Sequence, residues 1–321
     1  MIMKYAVLGS GAMGFRYGVM LQENAGVKVD FVDAWEPNIE AVKKQGGVRV
    51  QRDHENEQLI DVNIYSPETY DQKPDVWLVF AKQMELQNLL ERCQKAGLFN
   101  DNQYVVSAMN GIGHMDKIVQ FFEKNNVLGG TAMIATLMPE PGFVDFMGKE
   151  GKESMHLATY GDNKPDDNQK QIMADLESAK LHPIYSEDYL SMAMTKLLFN
   201  SVVNTICTMF EIPMGQFGDF KGAKEMTTQM MDEAFEACKR NNINLPQTKE
   251  EAIQGVLDGC VDYKYHHPSM YQDLSKNRPT EVDYINGYIV SLGDKVGYNC
   301  AVHRFIVNEV HLAESIKQAQ K

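Results

Sequence analysis

Three polar side chains interrupt an apolar run in the second half of the chain. Together they could catalyse a proton transfer and bind a small substrate. Lys196, Asn200 and Asn204 are spaced four residues apart in TKLLFNSVVNTICTMF, which places them on one face of a predicted helix. A half-buried lysine can donate a proton to a carbonyl oxygen, and its charge stabilises the alkoxide that develops. The two amides can hold a small polar substrate. The same spacing also fits the solvated stripe of an ordinary amphipathic helix, and this alternative stays open.

A glycine-rich turn near the start of the chain is typical of a dinucleotide site. It follows a predicted strand directly and opens a helix-period run. Gly9 permits a tight turn, Gly11 lets the backbone approach a pyrophosphate, and Gly14 lets the helix pack close to the sheet. Free amides at the helix start then face the phosphates. A glycine turn without a ligand is the alternative. The residues of this predicted cofactor-binding turn are Gly9, Ser10, Gly11, Ala12, Met13 and Gly14.

An acidic residue at the end of the second predicted strand bears on the choice of cofactor. Asp33 lies 19 residues after Gly14, where a carboxylate can accept hydrogen bonds from the adenosine ribose hydroxyls. A 2′-phosphate there would meet a negative charge, and Ala34 and Trp35 offer no arginine to receive it. The pattern therefore favours NAD(H) over NADP(H). A solvated aspartate at the strand end is the alternative.

A second polar block lies near the C-terminus in PSMYQD and TEVDYING, and each of its residues is ordinary when taken singly. Ser269 could cap a helix from Met270 to Leu274, and Glu281 could lie in the first turn of the next helix. His266 and His267 form the closest histidine pair. Adjacent residues rarely converge on one ion, and no carboxylate or cysteine has matching spacing, so we predict no metal site.

The elements that must position these residues divide the chain into two halves. In the first half, short β-branched runs alternate with helix-period stretches, which is typical of an α/β domain with a mostly parallel, doubly wound sheet. The predicted strands are 4–8, 27–32, 76–80, 104–107 and 127–130, with two later strands near 142–147 and 155–160. The predicted helices are 12–24, 37–45, 85–96, 115–125 and 167–179. From Ser186, a predicted N-cap, the pattern is helical, so we predict a dinucleotide-binding domain over 1–185 and an all-helical domain over 186–321.

The composition excludes several classes of partner. The chain has 321 residues, with 31 Lys and Arg against 44 Asp and Glu, a net charge of −13. Such a surface repels nucleic acid and anionic lipid. The apolar runs fall well below the ~18 residues of a membrane span, and the N-terminus lacks an apolar signal region, so we expect a cytoplasmic protein. The five scattered cysteines are expected to be reduced thiols.

These motifs resemble the ketopantoate reductase family of 2-oxoacid reductases over nearly the full chain. The resemblance rests on GSGAMG, Ala81-Lys82, Asn110-Gly111-Ile112-Gly113, the lysine helix, and SMYQD followed by TEVDYINGY. Many dehydrogenases share the glycine motif, whereas the lysine helix combined with the last block is specific to this family. The resemblance implies a Rossmann domain, a helical domain of the 6-phosphogluconate dehydrogenase C-terminal type, and a homodimer.

The resemblance also implies roles for individual residues. Lys196 would donate the proton that completes hydride transfer to the 2-keto group of a small 2-oxoacid. Glu281 would contact the cofactor or this lysine. The substrate would be held by three polar side chains, those of Asn200, Asn204 and Ser269. The nicotinamide end of the cofactor would lie near two residues, Lys82 and Asn110.

Three departures from the family pattern concern selectivity. Met214 in IPMGQF and His266 in HHPSM stand where family members often have asparagine, and Asp33 stands where the NADPH enzymes usually have a basic or neutral residue. Fewer amides suit an apolar 2-oxoacid better than the hydroxyl-bearing ketopantoate. The departures favour an NAD-dependent D-2-hydroxyacid dehydrogenase of the D-mandelate type. The alternatives are a 2-dehydropantoate 2-reductase of pantothenate biosynthesis, which would use NADP(H), and a non-catalytic NAD(H)-sensing protein.

Overall fold

The computed structural model describes residues 3–148 and 155–320. Its backbone contacts divide the chain into two compact units. The first unit comprises Met1–Met109 and His114–Tyr189, and the second comprises Asn110–Gly113 and Leu190–Lys321. The short segment 110–113 thus groups with the second unit, although it lies in the first half of the chain. The domain boundary after residue 185 stays a prediction.

The strands of the described residues all lie in the first unit. In chain order they are β1 (Tyr5–Leu8), β2 (Val29–Val32), β3 (Val48–Arg52), β4 (Glu55–Ile60), β5 (Asn63–Tyr65), β6 (Val76–Val79), β7 (Tyr104–Ser107), β8 (Val127–Ala132), β9 (Ala135–Glu140), β10 (Phe143–Met147), β11 (Met155–Thr159) and β12 (Pro183–Tyr185).

Eight strands form one sheet in the order β12-β11-β8-β7-β6-β1-β2-β5. All neighbours from β8 to β5 pair in parallel, β11 pairs antiparallel with β8, and β12 pairs in parallel with β11. The mostly parallel sheet is therefore confirmed. Its central strands are buried along their whole length, as strands covered on both faces must be.

A second sheet has the order β4-β3-β10-β9. In it β3 pairs in parallel with β10, while β4 and β9 pair antiparallel with their neighbours. The sequence pattern predicted β10 but missed β3, β4 and β9. For β4 the physical reason is plain, because ENEQLI is exposed along nearly its whole length and carries no apolar alternation.

The helices of the first unit pack against these sheets. They are α1 (Ala12–Met20), which continues as a π-helical turn over Leu21–Ala25, α2 (Glu36–Gln45), α3 (Gln83–Lys95), α4 (His114–Ile118) and α5 (Asp167–Ser178). The helix predicted over 115–125 is wrong in length. It ends at Ile118, and Phe121 and Phe122 turn to pack on Phe99, with ring centroids 6.1 and 4.5 Å away.

The second unit is all-helical within the described residues, as predicted. Its helices are α6 (Tyr189–Met209), α7 (Met214–Gly218), α8 (Ala223–Arg240), α9 (Lys249–Asp262), α10 (Ser269–Ser275), α11 (Val282–Lys295) and α12 (Ala301–Ala319). Between residues 3–148 and 155–320, no helix is long and apolar enough to cross a membrane.

Three predicted helix starts are corrected by the structure. Ser186 does not cap α6, because the helix begins only at Tyr189, and the Ser186 amide donates to the carbonyl of Leu157. Ser269 is the first residue of α10 rather than its cap, a position that Pro268 takes. Glu281 is the N-cap residue of α11 and does not lie in its first turn.

Candidate active site

Lys196 lies in the middle of α6, in partly buried surroundings. Burial lowers the pKa of Lys196 to about 8, although the Glu281 carboxylate opposes this shift. An amine with this pKa is still mostly protonated at neutral pH, and it can lose its proton at far less cost than an exposed lysine. Lys196 thus has the protonation behaviour that general acid catalysis requires.

The two asparagines of α6 lie on the same face as this lysine. Asn204 is buried and Asn200 is half-buried. The hydroxyls of Ser201, Thr205 and Thr208 donate instead to carbonyls of α6 itself. Within the described residues, the two asparagine side chains form no hydrogen bond. Their amide groups therefore stay available to a ligand.

Glu281 is brought close to Lys196 although the two are far apart in sequence. Its side chain is buried at the N-cap of α11 without bonding to the helix amides. The same helix start also contacts the segment that follows β7, because the Ile112 amide donates to the Tyr284 carbonyl over 2.9 Å. Gly111 lies at φ +74°, and a Cβ there would lie 2.6 Å from that carbonyl oxygen. Only glycine fits this close approach.

The two residues that depart from the family asparagines meet in the second unit. The amide of Met214 donates to the carbonyl of His266 over 3.0 Å, and Met214 is buried. Burial lowers the pKa of His266, and neighbouring His267 lowers it further. The ring of His267 stacks on Tyr271, with centroids 4.4 Å apart. Met214 thus supplies a buried apolar side chain at this corner, and His267 and Tyr271 supply a stacked aromatic pair.

Ser269 begins α10 directly beyond this corner and is half-buried. Its hydroxyl bonds to no other described residue. Its substrate-binding role therefore stays a prediction.

The glycine turn of the first unit has the geometry that a dinucleotide needs. Gly9 lies at φ +92°, and a Cβ there would lie 2.6 Å from the Ala81 amide nitrogen. A Cβ on Gly14 would collide with the Gly9 carbonyl oxygen. At Gly11, by contrast, nothing lies within 4 Å of an added Cβ. The first and third glycines are thus required by packing, and the middle one faces open space where a pyrophosphate would lie.

Asp33 directly follows β2 and is buried beside this turn. Its carboxylate accepts from the amides of Ser10 (3.2 Å) and Trp35 (3.1 Å) and from the Asn38 side chain (3.0 Å). Burial raises the pKa of Asp33, while these hydrogen bonds lower it. The contacts hold the carboxylate in place at the carboxyl edge of the sheet.

Asn38 is a residue that sequence reasoning missed. Its buried amide donates to the Ser10 carbonyl as well as to Asp33, and its side-chain oxygen accepts from the Gly142 amide. A single side chain thus fixes the glycine turn and the acidic residue together. Its signal was weak, because an asparagine near the start of a helix is common for purely local reasons.

Lys82 is the remaining predicted cofactor-binding residue of the first unit. It is exposed at the N-cap of α3, after the end of β6. Gly9, Asp33 and Lys82 each follow one of three neighbouring parallel strands, so all three lie at the carboxyl edge of the sheet. Asn110, by contrast, is half-buried and groups with the second unit.

The described part of the chain holds neither a cluster of metal ligands nor an exposed thiol. No cluster of three or more His, Cys, Asp or Glu in those residues could hold a metal ion. All five cysteines are buried as free thiols. Burial raises the pKa of the Cys93 thiol to about 12, which leaves it protonated and unreactive at neutral pH.

Comparison with known families covers both units. A family model described as ketopantoate reductase PanE/ApbA matches residues 5–159. The model of the C-terminal part of ketopantoate reductase PanE/ApbA matches residues 188–314. Together the two matches cover most of the chain.

Individual relatives match over almost their whole length. The chain is 30% identical to a 2-dehydropantoate 2-reductase of Lactococcus lactis subsp. lactis, over 99% of this chain and 100% of the relative. It is 29% identical to the 2-dehydropantoate 2-reductase of Streptococcus pyogenes serotype M18, over 98% of this chain and 99% of the relative. Among solved structures, D-mandelate dehydrogenase with NADH and anilino(oxo)acetate superposes with a TM-score of 0.90 at 29% identity, over 98% of this chain and 100% of that one.

Proposed function

The chain belongs to the ketopantoate reductase family, and from this premise we propose that it reduces 2-oxoacids to D-2-hydroxyacids with NADH, as an enzyme of the D-mandelate dehydrogenase type. The observation that carries the proposal is the half-buried Lys196, whose pKa is lowered to about 8 beside the carboxylate of Glu281. The residues also fit the cofactor, because Gly11 leaves room for a pyrophosphate and Asp33 lies at the sheet edge. The resemblance also implies a homodimer, which we include in the proposal.

The chain's own residues would divide the work between binding and proton transfer. Amides of the glycine turn hold the pyrophosphate, and Asp33 accepts from the ribose hydroxyls. When bound, NADH supplies the hydride that reduces the 2-keto carbon. Lys196 donates its proton to the keto oxygen as negative charge develops there, and it regains a proton from water afterwards. Asn200, Asn204 and Ser269 hold the substrate.

The preference for an apolar substrate rests on the Met214 corner. The thioether of Met214 is only a weak acceptor for the side-chain hydroxyl of ketopantoate, so binding that substrate here would leave the hydroxyl poorly paired. An aromatic or aliphatic side chain would pack on Met214 without this penalty. The Asp33 carboxylate supports NADH, because its negative charge would repel the 2′-phosphate of NADPH.

A second candidate is 2-dehydropantoate 2-reductase itself. It is favoured by the Lactococcus lactis relative, which matches along its entire length. A third candidate, a non-catalytic NAD(H) sensor, has no need for a half-buried lysine with a lowered pKa. The polar set on α6 therefore argues against it.

Initial rates with phenylglyoxylate and with ketopantoate, each measured with NADH and with NADPH, test the choice among these candidates. We expect phenylglyoxylate with NADH to have the highest kcat/KM. We also expect Met214→Asn to raise the preference for ketopantoate by about tenfold, because the amide returns a hydrogen-bonding partner. Met133→Asn, at an exposed position of the first unit, is the matched control. A higher kcat/KM for ketopantoate with NADPH would establish the second candidate, and cofactor binding without turnover would establish the third.

The pH dependence of kcat should follow the protonation of Lys196. Reduction needs the ammonium form, so kcat for reduction should be level below pH 8 and fall as the pH rises through about 8. Oxidation of the hydroxyacid needs the neutral amine, so its kcat should rise over the same range. Steady-state rates from pH 6 to 10 in both directions measure this. Parallel profiles in the two directions would contradict the role of Lys196.

A further inference from the structure

Side chains of α12 form hydrogen bonds with residues at the start of α11. One Glu314 oxygen accepts from the Thr280 amide over 2.6 Å, and the other lies 2.9 Å from His311 Nδ1. The second ring nitrogen of His311 lies 3.0 Å from the Asp283 carboxylate. We call Thr280, Asp283, His311 and Glu314 the α12 clasp. Two of its members, Thr280 and Asp283, lie on either side of Glu281 in the sequence.

Two residues at the start of α11, Glu281 and Tyr284, link this helix to Lys196 and to segment 110–113. Glu281 is the N-cap of α11, and its charge acts on Lys196. The carbonyl of Tyr284, one residue beyond Asp283, accepts a hydrogen bond from the Ile112 amide. A small rotation of this helix start would therefore move the carboxylate beside the lysine and the contact with segment 110–113 together.

We propose that Glu314 and His311 are positioning residues, which hold the start of α11 so that Glu281 stays beside Lys196. This inference rests on the proposed function. The side chains of Glu314 and His311 hydrogen-bond to Thr280, to Asp283 and to each other, and not to Lys196. They act instead through the Thr280 amide and the Asp283 carboxylate.

The geometry of His311 explains why the clasp holds. A neutral imidazole can donate from only one nitrogen, but here each ring nitrogen faces a carboxylate, which can only accept. Partial burial lowers the pKa of His311, and the hydrogen bonds to Glu314 and Asp283 outweigh it, so the pKa is raised. When it is protonated, the ring can donate to both carboxylates at once.

The test compares Glu314→Ala with Glu314→Gln. Alanine leaves the Thr280 amide without its acceptor, and we expect kcat to fall on the order of tenfold, since small misplacements of catalytic groups are costly. The fall of reduction kcat with pH should also move to lower pH, because a displaced Glu281 no longer favours the charged form of Lys196. Glu314→Gln keeps a side-chain oxygen that can accept from the Thr280 amide, so we expect it to retain most of the wild-type kcat. Glu309→Gln, on the same helix, is the control.

A role in folding alone would give a different result. It would lower the Tm of Glu314→Ala while leaving the pH profile and the kcat of the folded fraction unchanged, and this result would overturn the proposal. Unchanged kcat and pH profile in a stable variant would overturn it too. Wild-type protein that turns over no 2-oxoacid would instead contradict the proposed function. In that case, amide hydrogen exchange at residues 280–284 decides whether the clasp orders this helix start, and equal exchange in wild type and Glu314→Ala would refute it.

Discussion

Lys196→Ala should lower kcat for 2-oxoacid reduction by about 1,000-fold, because it removes both the proton donor and the charge that stabilises the developing alkoxide. Binding of NADH should be nearly unchanged, since the glycine turn and Asp33 lie in the other unit. The variant should also lose the fall in activity near pH 8, because the group that titrates there is gone. Single-turnover rates with phenylglyoxylate, together with fluorescence titration of NADH, measure the two effects separately.

Two further variants make the Lys196 result specific. Lys224→Ala removes a positive charge from an exposed position of α8 and should leave kcat unchanged. Lys196→Arg keeps the positive charge but cannot release a proton near neutral pH, so it should retain substrate binding and still turn over slowly. Near-normal turnover in Lys196→Ala would exclude this residue as the proton donor.

Asp33→Asn should lower the preference for NADH over NADPH, measured as the ratio of the two kcat/KM values, on the order of 100-fold. The charge that repels a 2′-phosphate is removed, while one oxygen remains to accept from the Ser10 amide or the Asn38 side chain. The amide also loses one acceptor for the ribose hydroxyls, which weakens NADH. Both changes alter the ratio in the same direction.

The ratio separates selectivity from stability. Any general damage to the buried hydrogen bonds of Asp33 affects the two cofactors alike, so it cancels in the ratio. Asp61→Asn removes an exposed carboxylate at the end of β4 and is the matched control. If Asp33→Asn leaves the ratio unchanged, Asp33 does not select the cofactor.

Local patterns in the sequence determined the fold class and the kinds of chemistry. The central strands β1, β2, β6 and β7 are buried on both faces, so their apolar runs were visible without a structure. The glycine turn was recognisable because its three glycines have a fixed spacing within one strand, turn and helix. The four-residue spacing of Lys196, Asn200 and Asn204 placed them on one face for the same local reason.

Only the tertiary structure decided which distant residues meet. It placed Glu281 near Lys196, Met214 against His266, and Asn38 between the glycine turn and Asp33. It also showed β4, whose exposed residues carry no periodic signal. Hydrophobic periodicity reports only which face of an element is buried. Which polar groups become neighbours depends on how the elements pack, and that packing sets the local dielectric that lowers the pKa of Lys196.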